Sequence, residues 1–128
     1  MAFEVFRRRS RLAYATPTIG VHKRGTVSIN GAAFSLLVDA ANIKDRNNVY
    51  IQFLYDREKR VVGLRSVPRE TPNSYPVRKQ ARADAYLVTG KGFFTYYRLD
   101  DALNKRFTAR IYEGNVLGFS VAEDSHSA

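Results

Sequence analysis

The chain contains no cysteine, which removes disulfides, thiolate metal sites and cysteine nucleophiles together and fits a reducing compartment. Its two histidines are His22 in the body and His126 in the polar tail. Neither a histidine-based metal site nor a Ser-His-Asp triad can be assembled from them, and His22 reads as a half-exposed structural residue. No apolar run approaches the roughly 20 residues that cross a bilayer. The first residues, Met1 to Arg9, place their charges after the apolar side chains, the reverse of a secretory signal. These absences predict a cytoplasmic, non-catalytic protein with no cofactor, no metal and no membrane association.

Carboxylates are absent from Val5 to Val38, while Arg7, Arg8, Arg9, Arg11, Lys23 and Arg24 supply six cations there. Over the whole chain 21 Lys plus Arg face 12 Asp plus Glu, a formal charge of +9. In so small a protein this creates a positive potential that attracts polyanions, and its pole lies in the N-terminal third. At 128 residues, 45% hydrophobic, with eight Phe and eight Tyr, the chain has the length for one core and too much apolar surface for compositional disorder. A single domain over residues 1–128 is expected.

Residues 18 to 30 alternate apolar and polar side chains around Gly25, with Ile19 and Val21 before it and Val27 and Ile29 after it, which predicts strand, turn, strand. From Gly31 the spacing changes. Ala33, Leu36, Leu37 and Ala40 recur three and four apart behind Asn30, a plausible N-cap, and predict a helix of about three turns. Val49 to Tyr55 and Val61 to Val67 are rich in β-branched and aromatic residues and read as two antiparallel strands joined through Asp56 to Arg60. Pro68, Pro72 and Pro76 mark residues 68–84 as a linker or surface arm.

The same grammar then returns in shortened form. Ala85 to Tyr97 reads as strand, glycine turn, strand, Arg98 to Asn104 as a short helix, and Phe107 to Tyr112 with Asn115 to Val121 as a hairpin around Glu113-Gly114. Three landmarks recur in order: Lys23-Arg24-Gly25 over Gly90-Lys91-Gly92, Leu54-Tyr55-Asp56 over Ile111-Tyr112-Glu113, and Val62-Gly63-Leu64 over Leu117-Gly118-Phe119. The chain reads as a basic segment 1–17, a first hairpin-helix-hairpin unit 18–67, a linker, a second unit 85–122 and a polar tail 123–128. Two unrelated hairpins in any β-rich chain give a similar pattern by chance.

The order strand, glycine turn, strand ending in Ile29-Asn30, helix, strand, charged hairpin, strand ending in Gly63-Leu64-Arg65 resembles the AbrB/MazE-like swapped-hairpin family. Residues 18 to 67 carry the likeness and 85 to 122 a degraded copy. Residues 24 to 34 and Leu54-Tyr55-Asp56 also look like a group of bacterial proteins that bring no assigned activity. The resemblance implies a mainly β fold with one or two short helices, in which two units of one chain close a pseudo-dimeric barrel by covering each other's strand edges. It further implies a bacterial, transcription-regulator-like protein whose partner is nucleic acid, DNA ahead of RNA. The sequence departs from the family at DNA-gripping positions: Thr26 stands where relatives put an arginine after the turn glycine, and Phe34, Ser35 and Leu36 stand where they put basic helix residues.

The candidate nucleic-acid contacts are therefore Lys23, Arg24 and Lys91, each beside a turn glycine, and Arg7, Arg8, Arg9 and Arg11 outside the matched unit. The arginine cluster suits phosphate contact with counterion release, or is a solvated basic tail. Phe93 to Tyr97, read as a strand, puts aromatics on both faces; one face is core, and the other, if open between Lys91 and Arg98, would stack single-stranded bases. Burial between two sheets is the weightier reading. Asp100-Asp101 reads as the first turn of a helix rather than a cation site. Gly90-Lys91-Gly92 lacks the glycine spacing and following Ser or Thr of a phosphate loop and is a turn. Arg78, Lys79 and Arg82 read as solubilising linker charge. Two functions follow: a non-catalytic nucleic-acid-binding module, or an antitoxin-like or structural assembly module, with a homodimer or a protein partner, whose charge only maintains solubility.

Overall fold

A computed structural model describes residues 16–68, 70–81, 83–122 and 126–127. Among the described residues the architecture is mainly β, with two antiparallel sheets and two α-helices. Strands β1 (Thr18–Val21) and β2 (Thr26–Asn30) form the expected hairpin. Helix α1 (Gly31–Ala40) follows at once, capped by Asn30, whose Oδ1 accepts from the Ala33 amide at 2.9 Å. The same oxygen accepts from the Thr18 amide, so one side chain ties the helix start to the strand beside it. Strands β3 (Tyr50–Asp56) and β4 (Val61–Val67) pair antiparallel along their length. Asp56 turns the chain between them by accepting from the amides of Glu58 and Lys59.

Two short strands, β5 (Tyr75–Pro76) and β6 (Arg78–Lys79), carry the chain from the edge of one sheet to the edge of the other. Pro76 is accommodated because β5 is an edge strand, where a missing donor costs nothing. Strand β7 (Ala85–Thr89) then pairs with β2, and the remaining elements are helix α2 (Lys91–Tyr96), a 3-10 turn Asp100–Ala102, and strands β8 (Lys105–Thr108), β9 (Arg110–Tyr112), β10 (Val116–Ser120) and β11 (His126–Ser127).

The first sheet runs β11-β8-β1-β2-β7-β6 and the second β5-β3-β4-β10-β9. Helix α1 packs against strands of both, burying Phe34, Leu37 and Val38. Phe34 stacks on Tyr86 of β7 with ring centroids 3.7 Å apart, and Phe107 of β8 stacks on Phe119 of β10 at 4.5 Å, joining the two sheets. One hydrophobic cluster results, drawn from both halves of the chain.

Three expectations need correction. The sheets are open and do not show a closed barrel or a swapped-hairpin duplication: β7 is followed by a helix where the first unit has the second strand of its hairpin. The stretch Phe93 to Tyr97 lies in α2 and its C-cap residue Tyr97, not in a strand. A strand would send adjacent aromatics to opposite faces, whereas a helical turn lets Phe93, Phe94 and Tyr97 all face the aromatic side chains of β3. Finally, Phe107 to Tyr112 is two strands in different sheets, broken at buried Ala109, whose amide donates to the Pro17 carbonyl as the chain crosses over.

Candidate nucleic-acid interface

The turn between β1 and β2 is tight: the His22 amide donates to the Thr26 carbonyl at 2.8 Å and the Gly25 amide to the His22 carbonyl at 2.9 Å. This presents Lys23 and Arg24 to solvent. Because β2 pairs antiparallel with β7, Thr26 lies opposite Thr89, and Gly25, before the first, meets Gly90, after the second. The Gly90 amide donates to the Gly25 carbonyl at 3.1 Å. A Cβ on Gly25 would stand 2.7 Å from the Lys91 Cα, so the two segments touch backbone to backbone. The landmarks that sequence reasoning aligned as equivalents are thus direct neighbours, and Lys23, Arg24 and Lys91, far apart in sequence, converge at one corner. None of the three forms an ion pair among the described residues.

The corner adjoins two concavities. One, of about 120 Å³, is lined by Lys23, Arg24, Lys91 and Thr95, with one carboxylate, Asp100. It is smaller than the roughly 300–1,000 Å³ of small-molecule pockets. The other, a groove of about 510 Å³, runs over the outer face of the first sheet between His22, Arg24, Thr26, Gln80, Leu87 and Asn104, with no carboxylate among the described residues of its wall. His22 is exposed there rather than half-buried. Farther along this face, register places Arg106, Gly20, Ser28, Leu87 and Arg78 in one row across the sheet. Arg106 lies over Gly20 and donates to Thr18 Oγ1 at 3.3 Å. Arg78, read from sequence as linker charge, extends the basic face; only strand register could have found it.

Other cations are held elsewhere. Arg46 is paired with Asp39 at 2.7 Å and Arg60 with Asp101 at 2.7 Å. Hydrogen bonding to Asp101, then to Tyr55, raises the Arg60 pKa above its ordinary value. Asp100 and Asp101 open the 3-10 turn, as the sequence suggested for a first helical turn. Lys79 sits over the Tyr86 ring at 5.9 Å. Arg7, Arg8, Arg9, Arg11 and Arg82 lie outside the described residues. Among the described residues no three His, Cys, Asp or Glu side chains gather as metal ligands, and no helix is long and apolar enough to cross a membrane. No family model, curated protein or solved structure matches the chain.

Proposed function

We propose that this protein is a non-catalytic nucleic-acid-binding module that engages phosphates at the corner where the β1–β2 turn meets the start of α2. The observation that carries this reading is the convergence of Lys23, Arg24 and Lys91, which form no ion pair among the described residues although Asp100 lines their cleft, beside a groove with no carboxylate among its described wall residues. The basic stretch Arg7, Arg8, Arg9 and Arg11 belongs to the same proposal through its charge alone. The likeness of residues 18–67 to the AbrB/MazE-like family supports a regulatory role in a bacterial cytoplasm, with DNA ahead of RNA as the partner. Fluorescence anisotropy with a labelled 20-nucleotide probe at low salt tests it. The variant Lys23→Ala/Arg24→Ala/Lys91→Ala is expected to bind at least tenfold more weakly than the wild type; unchanged affinity overturns this site.

A second reading, an assembly module, draws on the second sheet. Its outer face carries a groove of about 420 Å³ walled in part by Leu54, Val61, Tyr112 and Val116. The edge strand β9 exposes Ile111, and an open edge is a template for pairing with another chain. Light scattering at several concentrations separates the readings: a defined oligomer without affinity for nucleic acid favours the second.

A further inference from the structure

We infer that the nucleic acid taken at this corner is single-stranded and that Tyr96 is its base-stacking residue; the inference rests on the nucleic-acid reading above. Tyr96 is 74% exposed, by far the most exposed large hydrophobic side chain described. Four of the five residues Phe93 to Tyr97 are aromatic, and Phe93 and Phe94 are buried, yet Tyr96 contributes little to the core. One described neighbour meets it edge to face. Tyr97 meets its ring at 4.8 Å and 84°. Tyr97 is in turn braced by Phe93 at 5.1 Å, Tyr55 at 4.9 Å and the Arg57 guanidinium at 4.9 Å. A ring that is open and rests against a braced neighbour loses less freedom when a base covers it, which spares part of the ordering cost of binding.

The charges around that face select its occupant. Thr95, the preceding residue, lines the cleft that Lys23, Arg24 and Lys91 share. Lys91 begins the same helix, about 7.5 Å earlier along its axis at 1.5 Å per residue and roughly 140° around it. Exposed Arg98 follows at the other end. Exposed cations at both ends of the helix that carries an exposed aromatic match a backbone that threads past while one base stacks, the arrangement that binds single strands without reading their sequence. A duplex keeps its bases stacked on one another and offers such a ring nothing but its backbone. The occupant is therefore an unpaired strand, of DNA or of RNA.

The chain has no tryptophan, so Tyr96→Trp introduces a single reporter. With dT12 and rU12 the Trp fluorescence is expected to be quenched on titration, and with a 12-base-pair duplex to stay unchanged. By anisotropy, Tyr96→Ala should lose on the order of tenfold in affinity for both single strands, and Tyr96→Phe should retain it, since stacking needs the ring and not the hydroxyl. Duplex affinity should not move in either variant. Equal loss on duplex and single strand, or no loss for Tyr96→Ala, overturns the inference while leaving the nucleic-acid reading intact. Failure of the wild type to bind either form overturns both.

Discussion

At Gly25 the backbone adopts φ +90°, and a Cβ there would press on the Lys91 backbone. Gly114, in the β9–β10 turn, has φ +83° with open space around it. Alanine at Gly114 should therefore cost only the left-handed penalty, about 1–2 kcal/mol. Alanine at Gly25 adds a clash with backbone that cannot swing away, and urea denaturation should show a clearly larger loss. Gly92 contrasts with both: it lies in α2 with nothing within 4 Å of a built Cβ, so Gly92→Ala should stabilise the protein by about 0.5–1 kcal/mol. Equal effects at Gly25 and Gly114 would deny the backbone contact that unites the basic corner. Asn30 is the other residue on which much converges. It caps α1, accepts from Thr18 and donates to the Thr16 carbonyl, so Asn30→Ala should cost about 1–2 kcal/mol, read from the same denaturation curves.

Among the elements, α1 is the one both sheets rely on. Phe34 is 2% exposed and stacked on Tyr86, so Phe34→Ala should cost about 3–5 kcal/mol through lost burial and the cavity left behind; a thermal midpoint within a few degrees of wild type would contradict the packing. The elements of residues 18–67 were legible because each has one period and one punctuation mark: alternation around Gly25, then three-and-four spacing behind Asn30, then two β-branched strands around Asp56. The later elements were not. Phe93 to Tyr97 is aromatic at four of five positions, so no period distinguishes strand from helix, and only the position of Phe53 and Tyr55 across the core decides it. Likewise Ala109 looks like any strand residue, and its crossing between sheets depends on the distant Pro17 carbonyl.

Across the whole molecule, the basic character was legible as a count, but its convergence was not. Lys23, Arg24 and Lys91 each stood out locally as a cation beside a glycine. Their meeting is a consequence of β2–β7 pairing, which no local pattern encodes. The reading as two copies closing a barrel overreached for the same reason: hairpin-like segments are visible in sequence, and the sheet each joins is not. The net charge of +9 sets the long-range attraction, while the corner sets where a strand is gripped. Salt separates these contributions, because each phosphate contact releases a counterion and steepens the fall of affinity with ionic strength. The most direct measurement is the slope of log affinity against log salt for dT12, taken on the wild type and on Lys23→Ala/Arg24→Ala/Lys91→Ala. Three lost contacts to a single strand predict a slope shallower by about 2; parallel lines of equal affinity would contradict the corner as the binding surface.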